Sequence, residues 1–395
     1  MTGTDAGRSG AGRLWALIRD HSLLLVGGTV CGIAWANIDH PSYVRFSQAL
    51  RFPVNDVGMV FFFALAVKEI VEARLPGGAL ASPREAPVPI LAAAGGVIGP
   101  AGLYLLMSAV LGRPEQMRGW AIPCATDIAF SYLAARLIFP RHHPAIPFLL
   151  LLAIADDAIG LILLAVFYPA AEGSLLKFVV LMVPALTVCA WLRRKKTTSF
   201  WPYLTIGGGL SWMALFLGGV HPALAMVPIL PFMPHAARDL GLFDPREPDL
   251  PDTMNRFEHA WKTPVQFVLM FFGLVNAGVT FSSLGPATWT VFVSLLVGKP
   301  IGIVGATFLA VKAGLHAPGG LSYRDATVMA VVAAIGFTVS LFFAASAFPD
   351  GSLLDEAKMG ALMSFLAAPI AIAYGRLVGL RPNVPVEPRR TRRTL

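Results

Sequence analysis

The chain has 395 residues, 56% of them hydrophobic and only 14% charged, with a formal net charge of +8. Soluble domains carry about 25% charged residues, so this composition excludes a soluble enzyme or nucleic-acid-binding module as the body of the protein. It points to a polytopic membrane protein.

Apolar runs of roughly 17–25 residues, each long enough to cross a hydrocarbon core of about 30 Å as a helix, recur along the chain. Spans are expected near 21–38, 56–72, 87–112, 119–139, 145–168, 175–192, 200–217, 220–236, 261–283, 287–312, 325–348 and 358–380. The fold class is therefore an all-α polytopic membrane protein of about twelve transmembrane helices. The domain reading is an N-terminal tail at 1–20, one transmembrane domain at 21–380 and a basic tail at 381–395. No short apolar region followed by a cleavage site opens the chain, so no removable signal peptide is expected. The longest connection, near 237–260, is charged and proline-rich.

Charge placement orients the spans. With the N-terminus cytoplasmic, 23 of the 31 lysines and arginines fall inside and 6 outside, while Lys68 and Lys299 fall within spans. The positive-inside rule then places both termini in the cytoplasm. The clusters Arg193-Arg-Lys-Lys196 and Arg389-Arg-Thr-Arg-Arg393 abut membrane helices and need no nucleic acid to explain them. Cys31, Cys124 and Cys189 show no metal-ligand spacing and read as small packing residues.

Two neighbouring acids interrupt the fifth span. Asp156 and Asp157 have about ten apolar or small residues on either side, which puts both near the bilayer midplane. Each charged carboxylate at that depth costs roughly 2.5–3.5 kcal/mol on insertion scales. Two such costs at one depth imply a proton or cation site. The fourth span carries a third acid in Pro123-Cys-Ala-Thr126-Asp127. Pro123 removes a backbone donor and frees a carbonyl one turn back, and Thr126 adds a hydroxyl. Carbonyl, hydroxyl and carboxylate oxygens suit a hard cation. The tenth span carries Lys299, and a buried ammonium needs a carboxylate partner. Asp156 and Asp157 are about 100° apart on a helix, so one can face Asp127 and an ion while the other reaches Lys299.

A weak symmetry accompanies these charges. Ala125-Thr-Asp-Ile-Ala-Phe-Ser131 and Ala334-Ile-Gly-Phe-Thr-Val-Ser340 each break an apolar span with small or polar residues. Each break lies in the middle span of a three-span group, spans 3–5 and spans 10–12. Paired interrupted spans of this kind mark transporter ion sites.

Ala125-Thr-Asp-Ile-Ala-Phe130, Asp156-Asp157, Gly298-Lys299-Pro300 and Ile335-Gly336-Phe337-Thr338, in this order, resemble the motifs of the NhaA family of sodium–proton antiporters. Asn55-Asp56, Gly219-Val-His221, Glu258-His259 and Asn276-Ala-Gly-Val279 are similar to further pieces of that family, and the likeness covers about 50–380. The resemblance implies a family fold with inverted repeats and discontinuous fourth and eleventh helices. It implies electrogenic exchange of Na+ or Li+ for protons in a bacterial plasma membrane, with no cofactor, lipids as surroundings and a homodimer as a possible assembly. Asp156 and Asp157 become the essential pair, and Thr126 and Asp127 line the unwound fourth span. Lys299 is expected to pair with Asp156, leaving Asp157 as the direct ion ligand. The helix-break residues are Pro123, Gly336, Phe337 and Thr338, and the implied metal set is Asp157, Asp156 and Thr126.

Some positions depart from the family pattern. The inner end of the second span reads Val67-Lys68-Glu69-Ile-Val-Glu72-Ala-Arg74, where Glu69 keeps the leading acid. Glu69, Glu258 and His259 are the candidates for a pH response. Ala334 stands where glycine is usual, and the external loop Asp39–Val54 is short. Asp56, near an outer helix end, is expected as an N-cap.

Two other functions fit parts of the pattern. A sodium-coupled solute cotransporter should lack a lysine opposite the acid pair. A membrane-embedded aspartyl protease or prenyl-transfer enzyme could share a proton between paired acids. However, a protease dyad comes from separate helices, and no repeated acid spacing for magnesium diphosphate is present.

Overall fold

The computed structural model describes residues 23–76, 78, 80–140, 143–170, 172–235, 252–316 and 321–380. The tails expected at 1–20 and 381–395, and most of the charged connection, lie outside these residues. Among the described residues the regular structure is helical, with no strand. The α-helices are α1 (Leu23–Ile38), α2 (His40–Arg51), α3 (Met59–Ala73), α4 (Pro87–Val110), α5 (Ile128–Ile138), α6 (Ala145–Phe167), α7 (Leu175–Arg194) and α8 (Gly209–Gly218). They continue as α9 (Thr253–Asn276), α10 (Pro286–Val293), α11 (Lys299–Lys312), α12 (Tyr323–Val332), α13 (Phe337–Ala347), α14 (Ser352–Met363) and α15 (Ala367–Leu377).

Five stretches of 18 residues or more are apolar enough to cross a membrane: α4, α6, α7, α10 with α11, and α14 with α15. Two bent pairs add to them: Pro114–Cys124 with α5, bent by 56°, and α12 with α13, bent by 52°. Large apolar side chains such as Ile98, Ile162 and Leu309 point outward and are exposed. A continuous apolar surface of this kind suits lipid rather than water. The protein is a multi-pass membrane protein.

Three helices widen into π-turns, at Phe52–Gly58, Tyr203–Gly208 and Ser294–Gly298. Each turn contains or adjoins a proline: Pro53, Pro202 or Pro300. A proline blocks the regular hydrogen-bond ladder, and a widened turn accommodates it without ending the helix. The first of these turns changes the expected outer loop. His40–Arg51 is helical, is capped by Asp39, whose carboxylate accepts from the Ser42 N–H at 3.2 Å, and runs through the π-turn into α3. Asp56 is therefore not an N-cap; it sits inside the π-turn, where its carbonyl accepts from the Trp212 indole at 2.8 Å.

Over its described residues, 220–235, the stretch expected as a span at 220–236 is not an α-helix. It winds through two 3-10 turns, Pro222–Leu224 and Leu230–Phe232. Pro222, Pro228, Pro231 and Pro234 remove too many backbone donors for a regular ladder. The next helix begins at Thr253, capped by Asp252, and ends at Asn276, so it starts and stops earlier than the apolar run suggested.

Helix α4 packs on α11 along a glycine seam. A Cβ added at Gly302 would collide with the Gly95 carbonyl and meet the Gly99 Cα at 3.0 Å, so backbone touches backbone. Small residues permit this approach where lipid supplies no hydrophobic drive between helices. The seam brings the start of α11, where Lys299 stands, against the body of the bundle.

Candidate ion site at the crossing of two bent helix pairs

The two bent pairs meet at their breaks. Ala125 and Asp127 are extended, and the Asp127 N–H donates to the Ile335 carbonyl at 2.7 Å. The Thr126 hydroxyl donates to the Ala333 carbonyl at 3.1 Å. Two serines form a reciprocal pair of bonds, Ser131 to the Val332 carbonyl at 3.1 Å and Ser340 to the Ile122 carbonyl at 2.7 Å. Each break thus satisfies backbone groups of the other, which a lipid-embedded chain must arrange internally. Gly336 ends the second break, and its N–H donates to Ser364 at 3.3 Å. Phe337 begins α13 with its ring packed 4.3 Å from Phe365.

Asp127 caps α5. One carboxylate oxygen accepts from the Phe130 N–H at 3.3 Å, while the other accepts from the Thr338 N–H at 3.2 Å and from the Thr338 hydroxyl. Asp127 therefore holds the start of α5 and the start of α13 together. The helix ends also present positive dipole to the carboxylate.

The neighbouring acids of α6 face different surroundings. Lys299 is fully buried at the first turn of α11, directly after the π-turn. Its ammonium donates to Asp156 at 2.9 Å and to the Cys124 carbonyl at 2.5 Å. The second Asp156 oxygen, Oδ1, is buried without a hydrogen-bond partner among the described residues. Asp157 is only partly buried and lines a cavity of about 420 Å³ with Glu69, Thr126, Asp127, Lys262 and Thr338. A narrow gap walled by Phe63, Phe342 and Phe343 also touches Asp156 and Asp157. The 100° step along one helix accounts for this division, because it turns one acid to the lysine and the other to open space.

Some candidate residues lie elsewhere. Glu258 stands near the start of α9, where it meets Lys68 at 2.7 Å and Lys262 at 3.8 Å; His259 is exposed beside it. His221 accepts from the Ala223 N–H at 3.3 Å, 4.8 Å between rings from Phe342. Among the described residues no three His, Cys, Asp or Glu side chains form a metal-holding group. A cation bound here would need hydroxyl, carbonyl or water oxygens besides the acids.

Sequence reasoning did not foresee two features. The first is the buried Lys68, shared by Glu72 at 2.5 Å and Glu258 at 2.7 Å. The i,i+4 spacing of Lys68 and Glu72 was a usable signal, but Glu258 arrives from a distant helix. The second is the Cys124 carbonyl as a ligand of Lys299. Pro123 advertised a free carbonyl one turn earlier, whereas the carbonyls put to use are those of Ile122 and Cys124.

Fold and site together define a membrane-embedded acid cluster at the crossing of two bent helix pairs. A family model described as Na+/H+ antiporter 1 matches residues 19–375. The Na(+)/H(+) antiporter NhaA of Geotalea uraniireducens is 45% identical over 373 residues, covering 92% of this chain and 97% of its own. The Na(+)/H(+) antiporter NhaA of Jannaschia sp. is 43% identical over 413 residues, with 92% and 98% covered. The chain belongs to the Na+/H+ antiporter 1 family. Its fold is also similar to that of the sodium proton antiporter MjNhaP1 from Methanocaldococcus jannaschii, with a TM-score of 0.54 at 15% identity over 94% of this chain and 96% of that one.

Proposed function

We propose that the protein is an electrogenic Na+(Li+)/H+ antiporter that exports sodium in exchange for protons and serves pH and sodium homeostasis. The observation that carries this reading is that Asp127 and Asp157 line one cavity at the helix crossing without an ion-pair partner among the described residues, while the neighbouring Asp156 is held by Lys299 at 2.9 Å. One lysine neutralises one acid; the remaining charge is available to a cation or to protons.

The acid-lined cavity extends from Asp157 to Lys262, whose side chain is well exposed in the N-terminal half of α9. Charge placement puts that end in the cytoplasm, so this arrangement opens inward. Deprotonated Asp157 and Asp127 receive Na+ there, with Thr126 and the unpartnered Asp156 oxygen at hand. A rearrangement exposes the site outward, protons displace the ion, and neutral acids return. Electrogenic exchange, with more protons than sodium ions moved per cycle, is what the family resemblance implies. The finer architecture belongs to the same proposal: about twelve spans, inverted repeats at spans 3–5 and 10–12, and discontinuous helices 4 and 11. So do a bacterial plasma-membrane location with both termini cytoplasmic, surrounding lipid, and a homodimer. The protein acts as a secondary transporter and not an enzyme, and needs no cofactor.

Reconstitution into vesicles with a pH-gradient dye tests the proposal. Na+ or Li+ alone, without another solute, should collapse an imposed proton gradient. Proton movement that required an organic solute would identify a cotransporter, and no ion-driven movement at all would sink the antiport reading.

A further inference from the structure

A second polar cavity, of about 310 Å³, lies at the far end of α9. The Tyr43 hydroxyl builds its wall by donating to the last carbonyls of α9, Leu274 at 3.0 Å and Val275 at 2.7 Å, while accepting from the Gly278 N–H at 3.0 Å. Gln266 lines the acid-bearing cavity and Asn276 lines this one. Ten residues of helix separate them, about 15 Å along the axis, so the two cavities open toward opposite ends of the bundle.

The charged or titratable side chains facing this cavity are His40, Tyr43, Arg51, Asp350, Asp355 and Lys358. Arg51 is paired with Asp350 at 2.5 Å, so those two charges cancel. Lys358 is only 8% exposed, yet it makes no hydrogen bond or ion pair among the described residues. Asp355 shares the wall with it and lies beyond ion-pair reach. The ammonium therefore faces the cavity, and its charge acts on whatever enters that space.

The floor of the cavity is polar but closed. Asn276 donates to Asn55 at 2.8 Å and Asn55 donates back at 3.0 Å, both side chains being buried. Asn276 also donates to the Phe272 carbonyl at 3.1 Å. Phe272 lies 6.2 Å between rings from Phe342, and Phe342 walls the gap at Asp156 and Asp157. Amide pair and phenyl pair therefore separate this cavity from the acids in two steps. Both asparagines occupy yielding backbone, Asn55 within the π-turn and Asn276 at the last residue of α9. Their carbonyl oxygens suit a hard cation, and an ion with its waters can replace the hydrogen bonds the pair gives up.

We propose that this cavity is the outer mouth of the ion path, closed by the Asn55–Asn276 pair, and that Lys358 keeps its hold on cations weak. The proposal rests on the inward-open orientation and alternating access described above. With Arg51 and Asp350 cancelled, Lys358 balances Asp355. Removing the ammonium leaves one uncompensated carboxylate in the mouth, which draws external Na+ back toward the site.

The test uses full-length protein in right-side-out vesicles, with Cys31, Cys124 and Cys189 replaced by alanine. Ser47→Cys and, separately, Gln48→Cys are treated from outside with a charged, membrane-impermeant thiol reagent. Labelling should abolish exchange, whereas labelling of Glu115→Cys, away from the cavity, should leave it intact. Exchange by the untreated parent reports on antiport itself; only the reagent's effect reports on the mouth. Failure of both cavity cysteines to label from outside, or full exchange after labelling, overturns the proposal. Lys358→Gln should lower the half-saturating Na+ concentration at the outer face threefold or more and leave the inner value unchanged. Lys358→Arg should behave as wild type. No change in Lys358→Gln, or an equal change on both faces, overturns the role given to the lysine.

Discussion

Lys299 and Lys68 invite comparison because each ties carboxylates from different helices, with opposite charge balance. Lys299 is fully buried and meets one acid, Asp156, while Asp157 and Asp127 stand nearby without an ammonium of their own. Lys68 is 4% exposed near the C-terminal end of α3, beside the N-terminal half of α9, and is shared by Glu72 and Glu258, with Lys262 approaching the same cluster. The rim cluster comes close to neutralising itself; the core cluster is short of positive charge. In the proposed exchange that shortage is what admits a mobile cation to the core, while the rim joins two helices. Burial magnifies the difference, since an uncompensated charge costs most where water is absent.

Substitutions can break this comparison. Asp157→Asn should have the largest effect, reducing exchange at least about 100-fold in vesicles while thermal unfolding of the purified protein stays near wild type. Electrogenic exchange within about tenfold of wild type in that variant would remove Asp157 from the site. Lys299→Ala should cost about 3–5 kcal/mol of stability by leaving Asp156 buried and unpaired. Adding Asp156→Ala should restore most of that loss, although exchange stays absent. If the double variant is no more stable than the single one, the pair is not the main support of this contact.

The pH profile sharpens the comparison next. If protons and Na+ compete for the same acids, the half-saturating Na+ concentration should rise by about tenfold per pH unit for each competing proton as pH falls. A flat profile would end the competition account. The smallest effect belongs to the rim: Lys68→Ala should cost about 1–2 kcal/mol, between exposed and buried pairs. It should move the pH at which exchange is half-maximal while leaving the maximal rate within about twofold. An effect of Lys68→Ala as large as that of Lys299→Ala would erase the distinction drawn between core and rim.

Much of this was legible from one-dimensional signals. Asp156-Asp157 in an apolar run marks itself by cost alone, and small or polar residues at 125–127 and 334–338 mark where helices bend. The Lys68–Glu258 contact, by contrast, joins residues 190 positions apart by numbering and has no local signature. Helix His40–Arg51 hides from hydropathy because of its polar face, and its only local signals are the Asp39 cap and Pro41 at its start. The stretch 220–236 failed for the opposite reason. Its apolar content satisfied a span criterion that ignores what four prolines do to the backbone ladder.

The Asp127 carboxylate has one more consequence. By holding the first turn of α5 with one oxygen and the first turn of α13 with the other, it acts as a clasp between two lengths of chain. A clasp that gains a proton surrenders an acceptor lone pair, and one that grips a cation must turn toward it. In the proposed exchange, loading at Asp127 is therefore felt mechanically where the two lengths of chain meet, with no messenger needed between cargo and movement.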